Sequence, residues 1–416
     1  MATSSASGNY GQVHAYGIVG PQMFSRRTDW KLSPNRYTQT VEEARAAGGR
    51  LLDLTASNPT TCGVRYDTNE IVSAFQNPQS LSYEPEPKGL LAAREQVARY
   101  YRDDHGLEVD VNSLVLTTST SEAYSYAFRL LCNPGDEVLV AKPSYPLFEF
   151  LGDLQDVKLV PYFLQYAHGW FIDFPSLMAA VTPQTKAILL VHPNNPTGSY
   201  VKEEERERLN EVCREHDLAL IVDEVFLDYP LDGRKRRSFV ENRDALTFTM
   251  SGLSKIAGLP QMKVAWMMVN GPESLVGTAL DRLEVIADTY LSLNSPTQWA
   301  FPALMAQRHS IQRQLRDRVL ENWTQLRIAA GNANPFELAE TEGGWYAVLR
   351  ISSDRSDEEL AIELVEKEQV LVHPGHFYDF PSGTHLVLSL IAQPEEFRAG
   401  ATALLQLLRR QSVEKR

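Results

Sequence analysis

Ser251-Gly252-Leu253-Ser254-Lys255-Ile256-Ala257-Gly258-Leu259-Pro260-Gln261-Met262-Lys263 is the stretch from which the rest of the chain falls into order. A lysine amine condenses with an aldehyde to give an imine, and once released it acts as a base. Small residues crowd Lys255, and a second cation, Lys263, follows it. By itself the window reads first as a solvated lysine in a Gly/Ser turn, since short patterns recur by chance. What lies upstream decides between the two.

Upstream, short apolar segments at 113–118, 137–141, 157–162, 187–192, 219–223 and 245–250 read as strands. Amphipathic or charged segments at 90–101, 122–131, 148–153 and 203–216 read as helices. Strands alternating with helices predict an α/β fold whose main sheet is mainly parallel and covered on both faces. Ligands of such sheets bind at the carboxyl ends of the strands. Ser119, Thr120, Ser121, Asn195, Asp223 and the loop of Lys255 all fall there.

The flanks differ in texture. Residues 1–32 read as irregular, Ser33-Pro34 opens a helix to about position 47, and 51–54 is a short strand. A long helical region spans 273–330, broken at Asn294-Ser295-Pro296. Beyond it, 343–350 alternates as an antiparallel strand does. A helix at 358–367, strands at 370–373 and 385–390, and a closing helix at 395–409 complete a smaller α+β domain. The expected division is an N-terminal segment, 1–60, joined to that small domain, a large ligand-binding domain over 61–305, and the small C-terminal domain over 306–416.

Composition narrows the function. A chain of 416 residues is too long for one compact core, and 43 % hydrophobic with 22 % charged residues predicts a folded protein. A net charge of −13 argues against nucleic acid and anionic membranes as partners. Cys62, Cys132 and Cys213 are scattered and odd in number, which fits a reducing compartment and predicts neither a disulfide framework nor a metal site. No apolar run approaches bilayer length. The first eight residues lack the cationic start and apolar core of a signal peptide, so a loose tail and a cytoplasmic location are expected. Neither GxGxxG after a strand nor GxxxxGK[ST] occurs, against a nucleotide-binding enzyme.

Asn195-Pro196-Thr197-Gly198, Asp223-Glu224-Val225-Phe226 and Ser251-x-x-Ser254-Lys255 come in that order, each after a strand of one sheet. Any one alone reads as a turn or a helix cap; the set is far more specific. With the loop from Tyr83 to Gly89 and Pro134-Gly135-Asp136-Glu137-Val138, it resembles the class I aminotransferases, which bind pyridoxal 5'-phosphate in fold type I. The resemblance runs from about position 51 to 392.

The resemblance implies a transaminase acting by ping-pong transfer between an amino donor and a keto acceptor. It implies that Lys255 holds the cofactor aldehyde and then moves the proton, and that Asp223 keeps the pyridine nitrogen protonated. Asn195 is expected to donate to the phenolic oxygen, and Tyr145 to stack on the ring. Ser119, Thr120, Ser121, Ser254 and Lys263 are expected to hold the phosphate at a helix N-terminus. Tyr83 is expected to reach the phosphate of a neighbouring subunit, in a homodimer with shared sites.

Departures accompany the match. Lys263 stands where relatives carry arginine, keeping the charge without the bidentate fork. Phe226 stands where they carry a tyrosine hydroxyl, with Tyr229 as a candidate substitute. Val387 stands where an arginine clamps the substrate carboxylate, with Arg350, Lys88, Arg26 or Arg27 as candidate replacements. The missing clamp keeps a lyase, decarboxylase or synthase on the same scaffold as the alternative. A non-catalytic cofactor-binding regulator is a further alternative, though no basic DNA-binding segment precedes position 50.

Overall fold

Asp223 ends one strand and Lys255 stands just beyond the next, and the sheet that brings them together fixes the geometry of everything else. In the computed structural model the described residues are 23–331 and 335–414, with side chains to 410. The start of the expected N-terminal irregular segment, 1–22, lies outside them.

After the two-residue strand β1 (Leu52–Asp53), the strands run β2 (Leu114–Thr117), β3 (Glu137–Lys142), β4 (Lys158–Tyr166), β5 (Trp170–Ile172), β6 (Thr185–Val191), β7 (Ala219–Asp223), β8 (Thr247–Gly252) and β9 (Ala265–Asn270). β2 to β9 form one eight-stranded sheet of order β2-β9-β8-β7-β6-β3-β4-β5. The run β4-β3-β6-β7-β8 is parallel, while β9 lies antiparallel between β8 and β2, and β5 antiparallel to β4. Every residue of β7, β8 and β9 is buried, as unbroken apolar runs require when helices cover both faces. Two antiparallel neighbours lie on either side of β9, so β2 points the same way as β8. The carboxyl ends of β2, β3, β6, β7 and β8 therefore open onto one edge.

The sequence reading missed β5, β9, the helices Thr68–Ser73 and Phe174–Ala180, and the strand Phe336–Leu338. β9 was absorbed into the loop after Lys263 because Ala265-Trp266-Met267-Met268-Val269 has no alternation to mark it as a strand. The first helix begins two residues later than expected. Asn35, not Ser33, caps it, its Oδ1 accepting the Thr38 N–H at 2.8 Å, and the helix spans Arg36–Ala46.

The C-terminal body is a four-stranded antiparallel sheet of order β10-β11-β14-β13, built from β10 (Phe336–Leu338), β11 (Tyr346–Ile351), β13 (His373–Pro374) and β14 (Thr384–Ser389). Its neighbour β12 (Val370–Leu371) pairs in parallel with β1, Leu52 opposite Val370, so the segment before position 60 is tied to the C-terminal body. The helical region is three helices, Glu273–Tyr290, Ser295–Ala306 and Arg308–Ala330, with Asn294 capping the second at the expected break.

One close approach governs the loop of Lys255. β8 ends at Gly252, where a Cβ would stand 2.9 Å from both the Ala265 Cβ and the Val264 oxygen of the adjoining strand. Only a residue without a side chain lets the backbone turn there. Gly252→Ala should therefore destabilise the protein by about 1–3 kcal/mol through overpacking, seen as a lower denaturant midpoint with unchanged slope.

Candidate active site

Strand ends converge on a cavity of about 290 Å³. Ser119, Thr120, Ser121, Tyr145, Asn195, Asp223, Phe226, Ser254, Lys255 and Lys263 all line it, so ten of the eleven predicted residues meet in one place. Tyr83 does not. It is 76 % exposed and borders a separate recess with residues such as Pro87, Leu291 and Asn294.

Asp223 ends β7 and is buried. Its Oδ1 accepts the Val225 N–H at 3.0 Å, and its Oδ2 accepts the Tyr124 hydroxyl at 2.9 Å. Burial pushes its carboxyl up to about 6, against the pull of those two donors and of the Lys255 charge. The adjoining Glu224 is bound instead by the Ser238 hydroxyl and the Phe239 N–H, both at 2.6 Å, so of this acidic pair Asp223 alone serves the cavity. Tyr124 was missed in the sequence. It lies one turn beyond Thr120 and Ser121 in the helix Thr120–Leu131, and i, i+4 spacing was the available signal.

Lys255 lies in the short helix Leu253–Ile256. Burial lowers its ammonium to about 8, with Asp223 opposing that shift. The Nζ sits 4.7 Å from the Trp345 ring centroid and 5.4 Å from that of Phe226. These faces attract a cation electrostatically, yet they supply no proton acceptor. Phe226 packs edge-on against Trp345, with centroids 5.2 Å apart. Tyr229 does not restore a hydroxyl to the cavity, because its O–H donates to the Lys255 backbone oxygen at 2.6 Å.

The far end of the cavity suits an anion. Ser119 caps the helix Thr120–Leu131, its Oγ accepting the Glu122 N–H at 3.2 Å. The first-turn N–H groups of Thr120 and Ser121 lie outside the helix's own bonding and at the positive end of its dipole. Ser254 and Lys263 complete the rim. Glu122 also belongs to this end, its Oε2 accepting the Thr118 N–H at 2.7 Å and the Ser292 hydroxyl at 2.8 Å. Asn195 is buried on the wall with its Oδ1 unpartnered, and Tyr145 is 38 % exposed at the mouth. Ser57, Phe148, Val225 and Tyr346 also line the wall, and none was foreseen.

The residues present fit pyridoxal phosphate. An amine of lowered basicity, a buried carboxylate, a buried amide able to donate, an aromatic ring and a hydroxyl-rich helix N-terminus with a lysine suit its aldehyde, ring nitrogen, phenolic oxygen, ring face and phosphate in turn. The candidate carboxylate clamps are elsewhere. Arg350 binds Glu337 at 2.6 Å and lies over Tyr166, Lys88 donates to the Asn112 oxygen at 3.3 Å and faces Glu284 at 3.5 Å, and Arg27 pairs with Asp156. Arg26 is exposed and does not line the cavity.

Sheet, strand-end lysine and facing aspartate define a pyridoxal phosphate enzyme of fold type I. A family model described as aminotransferase class I and II matches residues 50–398, and the chain belongs to that family. It is 27 % identical over 368 residues to the glutamate-pyruvate aminotransferase AlaA of Haemophilus influenzae, covering 87 % of this chain and 91 % of the relative. It is likewise 27 % identical over 381 residues to the alanine aminotransferase of Mycobacterium tuberculosis, covering 88 % and 87 %. A solved aminotransferase from Escherichia coli superposes with a TM-score of 0.80 at 24 % identity, over 90 % of this chain and 95 % of that one, a likeness of fold. The protein is a pyridoxal phosphate-dependent transaminase. No helix among the described residues is long and apolar enough to cross a membrane.

The charge states generate two expectations. If the neutral amine of Lys255 is the nucleophile, uptake of the cofactor by cofactor-free protein should accelerate as pH rises through about 8 and then level off; stopped-flow absorbance reads this. Tyr124→Phe removes a donor to the Asp223 carboxylate and raises its proton affinity further. Cofactor affinity should fall about tenfold, and more at pH near 6 than at pH near 8.

Proposed function

We propose that Lys255 is the residue that holds the cofactor and moves the substrate proton, with Asp223 its indispensable partner. The observation that carries this reading is the burial of both groups in one cavity, each displaced toward the neutral form. Pyridoxal phosphate, when bound, supplies an aldehyde for the amine and a ring that takes up the electron pair of the broken bond.

In this reading Asp223 keeps a proton on the ring nitrogen. Its carboxylate is steadied by Tyr124 and the Val225 N–H, which leaves it unable to rotate away. Asn195 donates its amide to the phenolic oxygen, and Phe226 adds no second donor there, so one hydrogen bond stands where two are possible. Tyr145 covers the ring. Ser119, Thr120, Ser121, Ser254 and Lys263 bind the phosphate. Once an incoming amine displaced it, the free Lys255 amine would be the base that accepts the substrate proton and hands it on, as transamination requires. Its nearness to neutrality suits it to both acts.

Tyr83 belongs, in this reading, to a site shared across a homodimer, which its exposure and distance from its own cavity support. Three cysteines without a disulfide support a cytoplasmic setting. The tie between β1 and β12 supports joining the segment 1–60 to the small domain of 306–416. The names of the relatives support an amino donor and a keto acceptor as co-substrates.

Borohydride reduction of the loaded protein followed by peptide mapping should find the added mass on Lys255; its appearance on any other lysine would sink the assignment. Mixing a Tyr83→Phe variant with a Lys255→Ala variant should return part of the activity through hybrid dimers. Hybrids that form without recovery would refute shared sites.

A further inference from the structure

The cavity holds few charges, and each has a use in the proposed function. Among the described residues that line it, the cations are Lys255 and Lys263. Lys263 stands with Ser119, Thr120 and Ser121 at the anion end, and Lys255 is the attachment point. The one lining carboxylate is Asp223. In the part of the cavity that one chain supplies, nothing positive is left over for a second anion.

The wall toward the C-terminal sheet extends this argument. Ser57, Phe226 and Tyr346 face the cavity there. Residues directly opposite one another on antiparallel strands share a face. Tyr346 opposite Ser389 and Val348 opposite Val387 therefore put Val348, Val387 and Ser389 on the face that carries Tyr346. All of these are buried and uncharged. His373, opposite Val387, is neutral too. Its Nδ1 is paired with the Tyr378 hydroxyl at 2.8 Å, and burial lowers its pKa to about 4. Arg350 continues this face but is held by Glu337, and Lys88 and Arg27 are paired elsewhere, as described; residues 1–22 and 332–334 contain no lysine or arginine, and 411–416 contain only Lys415 and Arg416 at the C-terminal end. A carboxylate buried against such a wall loses its hydration and gains no countercharge.

We propose that the preferred substrates are primary amines that carry no carboxylate and bear an apolar or aromatic substituent, with uncharged aldehydes or ketones as acceptors, rather than free α-amino acids and their keto acids. This rests on the transaminase reading. The step balances as an exchange. The donor's C–N bond is replaced by C=O with oxygen from water, a two-electron oxidation at carbon. The acceptor's C=O becomes C–N and its oxygen leaves as water, a two-electron reduction. The proton lost at the donor carbon is matched by the one gained at the acceptor carbon. Phe226 and Tyr346, with Trp345 behind, supply the apolar surface for the substituent.

The test uses the holoenzyme and matched pairs at neutral pH. Single-turnover absorbance compares 2-phenylethylamine with L-phenylalanine, and ethylamine with L-alanine. The amines should convert the cofactor to its amine form with an apparent second-order constant at least about tenfold above their carboxylated partners. Unreactive ligands give a second readout: 3-phenylpropanol should perturb the cofactor spectrum at lower concentration than 3-phenylpropionate. Faster turnover of the amino acids, or tighter binding of the propionate, overturns the proposal, including where a cation from a partner subunit is the cause. Ammonia release without the amine form would retire the transaminase reading, and the unreactive pair would still decide this one. Val387→Arg, in a variant that retains cofactor, should tighten 3-phenylpropionate about tenfold or more; unchanged binding overturns the role given to this wall.

Discussion

Two groups of opposite sign, the Lys255 amine and the Asp223 carboxylate, are enclosed together where water cannot solvate them freely. Each alone would be driven to its neutral form by burial. Together they restrain that drift, since the charge of each favours the other. The sheet exists in this form to hold them so. β7 and β8 are neighbours in register, and both end at the same edge. The glycine at the end of β8 lets the chain turn within contact of β9 and carry the lysine back toward the aspartate. Shift the register of either strand by one residue and one of the two faces away.

Much of this was legible from the residues. Apolar runs at 187–192, 219–223 and 245–250 located the strands to within a few positions, and the residues after them located the cavity. The helix Glu203–His216 and the strand β7 fall where the periodicity put them. Residues in direct line with a strand end could be found because position along the chain translates into position in space there. Ser57 and Tyr346 reach the cavity from the other body, and nothing local marks them; Tyr124 reaches it from the flank of a helix, marked only by its i, i+4 spacing from Thr120. Asn35 displaced Ser33 as the cap because an amide oxygen and a hydroxyl are near equals in that role. β9 was hidden by its own uniformity, an antiparallel strand as apolar as its parallel neighbours.

The departures from the family pattern are informative in different degrees. Phe226 removes a hydroxyl, and the structure shows that Tyr229 is bound to the Lys255 backbone and does not replace it. Val387 is not a lone exception. It shares a strand face with Val348, Tyr346 and Ser389, all uncharged; Arg350, Lys88 and Arg27 are paired with carboxylates away from the cavity, and Arg26 is exposed and does not line it. Lys263 keeps the sign of its counterpart and stands at the anion end, so this exchange alters geometry more than charge.

The pairing of β1 with β12 joins stretches from opposite ends of the chain. As the polypeptide leaves the ribosome, the strands that frame the lysine are complete while the partner of β1 has yet to be made. β1 must therefore wait for its strand partner until residues 370–371 emerge, although Trp30 and Arg27 can already bind Asp153 and Asp156. Translation thus imposes an order on maturation, with the eight-stranded sheet assembling ahead of the smaller body that finishes the wall of the catalytic cleft.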